Sequence, residues 1–120
     1  MSHVVTIQTK LRDPTAIAAA CRRQGLSAPV AGTAELFGGP VSGLMFRLPD
    51  WQYPIVVDLP TGDVKYDNFE GAWGERVHLD RFLQAYAVEK TKLEARTKGF
   101  QVSEQSLADG SIRVQIIDAA

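Results

Sequence analysis

Apolar and polar side chains alternate along the first segment of the chain. In residues 4–11 the side chains of Val5, Ile7 and Leu11 fall on one side, and polar side chains separate them. A period of two is typical of a strand with one buried face. This segment is therefore predicted to be a strand.

The pattern then becomes helical. Asp13 precedes Pro14, and Ile17 and Cys21 follow four residues apart. The Asp13 carboxylate can accept from the free N–H groups of a first helical turn, and proline needs no donor there. Gly25 supplies a left-handed stop. We predict a short helix between Pro14 and Gly25, with Cys21 buried on its inner face.

The middle of the chain has strand character broken by turn residues. Alternating or β-branched stretches occupy residues 33–37, 43–48, 53–59 and 64–66. Proline and glycine separate them, and consecutive strands joined by tight turns pair antiparallel. These stretches are expected to form a meander.

A long helix and a hairpin end the pattern. Apolar side chains recur at helical spacing over residues 79–98, and Gly99 follows. Residues 100–104 and 111–117 alternate again around Asp109-Gly110, a strong hairpin signal. We predict that the hairpin turns there, with Gly110 at positive φ.

These elements define a fold class. Residues 1–120 are expected to form one α+β domain of two layers. A largely antiparallel sheet of about six strands would carry two helices on one face. A ferredoxin-like central topology is one arrangement that fits this order.

Composition narrows the class of partner and the compartment. The chain has 13 Lys and Arg against 14 Asp and Glu, a net charge of −1, which argues against nucleic-acid binding. It has one Cys, which cannot form an internal disulfide, and the start lacks the apolar region of a secretory signal. We expect a cytoplasmic protein that does not enter a membrane.

A nucleic-acid module is nevertheless the third interpretation of the sequence. It requires the cations of the long helix to align with those at the end of the first helix. These cations are Lys90, Lys92, Arg96 and Lys98 on the long helix and Arg22 and Arg23 on the first.

The sequence contains no recognisable catalytic constellation. His3 and His78 are the two imidazoles, too few and too far apart for a metal site, so no metal or cofactor is predicted. Cys21 lies on an apolar stripe, where packing is the usual role of a free thiol. The alternative interpretation is an enzyme of unrecognised type that uses Asp67, His78 and Asp80.

The loop before the long helix is the predicted binding surface. It mixes aromatic and acidic side chains with two glycines and has no regular period. We predict that Trp73 anchors a protein partner there and that Asp67 and Glu70 are rim charges. Tyr66 and Arg81 complete this surface. Trp51 has similar loop surroundings, and partner binding and core packing are both open for it, whereas Tyr53 and Phe69 are expected to pack in the core.

Both ends of the chain carry recognisable features. They are the Met-Ser-His start and, near the other end, Tyr86-Ala87, Glu94-Ala95-Arg96, Gly99-Phe100, Val102, Glu104 and Asp109-Gly110-Ser111-Ile112-Arg113. With these features the chain resembles the family of small proteins first described as hypothetical chloroplast reading frame thirty-five. That family occurs in plastids, cyanobacteria and other bacteria and is classed as a domain of unknown function.

The resemblance implies a kind of partner and transfers no catalytic residue. Bacterial members of the family often lie near genes for AAA+ ATPases of the MoxR kind, which implies an adaptor or client role. We therefore expect a small binding or adaptor domain without catalytic activity. Self-association through an exposed sheet edge is a further expectation, since an open sheet has two edges.

Overall fold

The computed structural model describes residues 5–7, 10–36, 38–67 and 71–118. Within these ranges the chain forms seven strands and two helices. Their bounds, in chain order, are β1 (Val5–Ile7), α1 (Pro14–Arg23), β2 (Val30–Leu36), β3 (Gly39–Phe46), β4 (Ile55–Asp58), β5 (Asp63–Tyr66), α2 (Arg76–Thr97), β6 (Phe100–Ser106) and β7 (Ile112–Asp118).

The predicted α+β class is confirmed, and the strands form two sheets. A five-stranded sheet has the order β1-β5-β4-β3-β2, and β6 pairs with β7 in a separate hairpin. All of these pairings are antiparallel. The ferredoxin-like order shares the opening strand, helix, strand, strand, but here β1 lies beside β5 and closes the meander at one edge.

Both helices cover the same face of the five-stranded sheet. Alternation along β4 and β5 turns every second apolar side chain toward the helices, as a half-buried sheet requires. The ring of Phe82 in α2 stacks on Phe46 of β3, with centroids 4.1 Å apart. Fully buried members of this core include Leu11, Ile17, Cys21, Ile55, Val57, Val64, Leu79 and Phe82.

The first helix starts as its sequence predicts. The Asp13 carboxylate accepts from the backbone N–H of Thr15 at 2.9 Å and of Ala16 at 3.2 Å. The Lys90 ammonium of α2 binds the second Asp13 oxygen at 3.0 Å. The cap therefore fixes the start of α1 and also ties α1 to α2.

Helix α2 is packed on two sides. Leu79, Phe82 and Tyr86 enter the core beneath the sheet. On another side, Gln84 donates to the Gly110 carbonyl of the hairpin turn at 3.1 Å. Val88, one turn further along that side, is 5% exposed. The hairpin therefore packs over the helix and does not add strands to the five-stranded sheet.

Several predicted boundaries differ from the structure, and β3 begins at Gly39, four residues ahead of its predicted start. Strand β1 ends at Ile7, and Leu11 is a core residue in the connection to α1, where its N–H donates to the Gly62 carbonyl at 2.8 Å. Strand β2 begins at Val30, ahead of the predicted start. Helix α2 begins at Arg76, three residues earlier than its apolar stripe. The period of the side chains therefore does not report the ends of these elements.

The hairpin turn agrees with its prediction. Gly110 has a φ of +89°, and the N–H of Leu107 donates to the Ser111 carbonyl at 2.9 Å. The Asp109 carboxylate accepts from the Ser111 N–H at 3.0 Å and from its hydroxyl at 2.6 Å. These bonds within the turn fix the register of β6 and β7.

Trp51 locks the segment before α2 onto the core. Its ring is 5% exposed, and its indole N–H donates to the Glu75 carbonyl at 3.1 Å. Gly74 lies against the ring face, so closely that a Cβ there would stand 2.6 Å from Trp51 Cε2. Gly74 is required by this close approach and is not a hinge beside Trp73.

Gly74→Ala is expected to destabilise the fold by about 1 to 3 kcal/mol, because the added methyl overpacks against a buried ring. Chemical denaturation of the variant measures this cost. Ala72→Ser, at an exposed position two residues earlier, should change the free energy of unfolding by less than about 0.5 kcal/mol. If the double variant Gly74→Ala with Trp51→Leu shows fully additive costs, the proposed clash is absent.

Candidate functional site

The sheet face opposite the helices carries a second, smaller apolar cluster. Ala34, Leu36 and Val56 are buried there, and the partly buried side chains of Met45 and Tyr53 pack against them. Neither α1 nor α2 covers this face. The covering comes from the sheet itself and from the residues that follow β3.

A groove of about 540 Å³ opens on this face. One wall is β2 with the residues before it, the floor is the end of β3, and the second wall is residues 52–54. Its volume falls in the range of about 300 to 1,000 Å³ typical of binding pockets. The lining includes Ala28, Val30, Ala34, Met45, Tyr53 and Pro54.

Two opposite charges flank the apolar floor. Glu35 of β2 and Arg47, the residue after β3, are among the residues that line the groove. The Arg47 guanidinium donates to the Gln52 carbonyl at 3.3 Å, which holds it at the wall. The groove thus offers apolar contact area with one acid and one base at its margins, the usual arrangement of a specific interface.

Two members of the predicted partner-binding loop are buried. The Tyr66 ring packs edge-to-face against Trp51, with centroids 5.5 Å apart, and its hydroxyl oxygen accepts from Arg76 at 2.9 Å. Asp67 is 0% exposed, so it is not a rim charge. Tyr66 is the last residue of β5 and lies on its core-facing side with Val64, whereas Asp67 directly follows the strand. Glu70 lies outside the described residues.

The other two predicted residues lie in different surroundings. Trp73 is half-buried, and its ring packs edge-to-face against Tyr53, with centroids 5.5 Å apart. Its carbonyl accepts from the Gln52 N–H at 2.8 Å. Arg81 is exposed on α2. Trp73 is therefore joined to the wall of the groove and supports Tyr53.

Most of the groove residues were not predicted from the sequence. Trp51, for which partner binding and core packing were both open, lies in a connection with its ring in the core, whereas Tyr53, expected in the core, packs on the smaller cluster and also lines the groove. Phe69 lies outside the described residues. The two walls meet only through strand pairing, which places Val30 opposite Met45. An alternating stretch beginning at Val30 was the available signal, but Pro29 and Gly32 obscured it.

The residues of the alternative enzyme have different environments. Asp67 is fully buried, whereas the Asp80 side chain is 58% exposed and pairs with Arg76 at 2.8 Å. Cys21 is 0% exposed, and burial raises the pKa of its thiol to about 11, which leaves it protonated. Among the residues that the structure describes, no group of three His, Cys, Asp or Glu side chains could hold a metal ion.

Three of the six cations proposed for nucleic-acid binding, Arg23, Lys90 and Lys92, are engaged by carboxylates. Arg23 and Lys92 both bind Glu89 and Glu104, at distances from 2.6 to 3.3 Å. Lys90 binds Asp13 and Glu94. Because these charges are neutralised within the protein, they release few counterions on a phosphate backbone, which argues against this interpretation.

The first of these groups is a four-membered charge cluster, Arg23, Glu89, Lys92 and Glu104. It connects α1, α2 and β6. Hydrogen bonds from Arg23 and Lys92 lower the pKa of Glu104 to about 2 from its ordinary value of 4.5. The cluster therefore holds the hairpin onto the helices.

Comparison of the chain with protein-family models, with curated proteins and with solved structures finds no match. The resemblance of the chain ends to the plastid family stays a prediction. In the described part of the chain, neither helix has the length and apolar character needed to cross a bilayer.

The charge cluster predicts an acid-sensitive hairpin. Since the pKa of Glu104 is lower in the folded state, its contribution to stability is complete above about pH 5 and is lost as the pH falls toward 2. Glu104→Gln is expected to cost about 1 to 2 kcal/mol at neutral pH and to flatten this dependence. Urea unfolding at pH 6 and pH 3 measures both effects.

Glu94→Gln is the matched control, because its carboxylate pairs only across an exposed turn, at 3.4 Å from Lys90. It should cost less than about 0.5 kcal/mol. An equal pH dependence for Glu104→Gln and the wild type would show that the cluster does not hold the hairpin.

The burial of Cys21 predicts slow thiol chemistry. A thiol reagent at pH 8 should label native protein at least about a hundredfold more slowly than protein in denaturant, because labelling requires opening of the core. Equal rates in the two conditions would place Cys21 at the surface.

Proposed function

We propose that this protein is a non-catalytic binding domain that acts through a protein partner, and that the groove between β2 and residues 52–54 receives an apolar or aromatic segment of that partner. The observation that carries the proposal is the groove itself, an apolar cleft of about 540 Å³ on the sheet face opposite both helices. A cleft of this size and lining is the usual form of a recognition site.

The residues that line the groove suit protein recognition. Tyr53 supplies a large ring at low entropic cost, and the flexible Met45 side chain adapts to different shapes. Trp73 packs on Tyr53 from the side and limits its motion. A pre-ordered aromatic wall loses little entropy when the partner binds.

The class of partner comes from the family resemblance. We propose that the partner is an AAA+ ATPase of the MoxR kind and that the two proteins bind each other in the cytoplasm. The single buried Cys21 suits a reducing compartment. No catalytic residue is included in the proposal.

Val30→Glu tests the groove with little risk to the fold, because Val30 is 62% exposed and lines it. Binding to a purified MoxR-type ATPase from the source organism, measured by calorimetry, should weaken at least about tenfold, since a charge enters an apolar contact. Val77→Glu places the same charge on α2 at a position 40% exposed and should stay within about twofold of wild type.

Copurification from native cells with both variants extends the test to other partners. If wild type and Val77→Glu retain a protein that Val30→Glu loses, the result supports binding of that protein in the groove. Equal retention by all three proteins contradicts it.

A further inference from the structure

The closing hairpin is the least buried part of the fold. The radius of gyration of the chain is 15.4 Å, against about 14 Å for a compact chain of this length. Strands β6 and β7 pair only with each other among the described strands. A sheet of two strands is marginal by itself, and this one leaves both of its edges open.

Strand β7 has exposed apolar side chains on both faces. Ile116 is paired with Val102, and both lie on the face of the hairpin that carries Glu104. Glu104 binds α2 on this face, but Ile116 is 51% exposed. Ile117 is on the opposite face and is 44% exposed. The helix thus covers β6 and leaves the β7 side of the hairpin open.

The outer edge of β7 also lacks the usual protection of an edge strand. Natural edges are short, or carry proline, lysine or a bulge. Strand β7 has seven residues without proline, lysine or glycine, whereas β1 has three residues and β2 contains Gly32 and Glu35. Strand β6 is equally free of proline, lysine and glycine, and β7 carries the charged residues Arg113 and Asp118. Because Glu104 ties β6 to α2, β7 is the edge more open to another strand.

We propose that β7 pairs antiparallel with β7 of a second copy, which joins the two hairpins into one four-stranded sheet. Two-fold symmetry requires opposed side chains to share a face, so the register is centred on a residue. Centred on Gln115, it sets Val114 opposite the partner's Ile116 and Arg113 opposite the partner's Ile117. Val114 and Ile116 then form apolar cross-strand pairs.

Self-complementarity favours a second copy over a foreign strand. The same pairing buries Val114 and Ile116 twice, once from each chain, and both α2 helices lie on one face of the joined sheet. Four strands with helices on one face meet the requirement for a stable layer, which two strands do not. This surface is separate from the groove, so the inference does not depend on the proposed function.

Sedimentation equilibrium of the full chain over a wide concentration range gives the first measurement. Wild type is expected at twice its 13.1 kDa mass. Ile117→Lys should raise the Kd of the dimer at least about tenfold, because Lys would face Arg113 of the other chain. Ile117→Glu should retain the dimer, since it would face the same Arg113 with opposite charge.

Val77→Lys, an exposed apolar position on α2, is the control and should leave the dimer unchanged. Circular dichroism verifies that each variant is folded.

A disulfide tests the register directly. Gln115→Cys places two thiols on the symmetry axis and should cross-link to a dimer under mild oxidation. Ser103→Cys, opposite Gln115 on β6, lies on the outer strand of the joined sheet, away from the symmetry axis, and should stay monomeric in denaturing gels. A monomeric wild type, or a dimer that survives Ile117→Lys without a cross-link at position 115, overturns the proposal.

Discussion

The architecture depends on packing α2 from two sides. One side places Phe82 against Phe46 in the core, and another receives the hairpin through Gln84 and the charge cluster. This double role explains why apolar and charged side chains are distributed around the helix and not confined to one stripe. Because both helices and the hairpin lie on the same side, nothing in the described chain covers the opposite face of the sheet with a second layer.

That uncovered face sets the position of the candidate site. Its cluster around Val56 is too small to be a second core, and Tyr53 and Met45 form a groove in front of it. The aromatic residues before α2 divide accordingly. Trp51 closes the core and holds Gly74, whereas Trp73 supports Tyr53 at the wall of the groove. Two rings that look alike in sequence thus have different physical roles.

Local signals in the sequence predicted the elements better than their assembly. The Asp13 cap, the Gly110 turn and the burial of Cys21 follow from neighbouring residues alone, and all three are confirmed. The separate hairpin sheet and the pairing of β1 with β5 depend on contacts between distant residues, which periodicity does not encode. The same limit applies to the groove, since its walls meet only after β2 and β3 have paired.

Our central proposal is that a protein partner binds the sheet face opposite the helices. Hydrogen exchange tests this proposal most directly. It is measured on the protein alone and on its complex with a partner that wild type retains in copurification and that Val30→Glu loses. The account predicts slower exchange in β2 and in residues 45–54, with unchanged exchange in α1 and α2. Protection confined to the helices, with none along the groove, would contradict it.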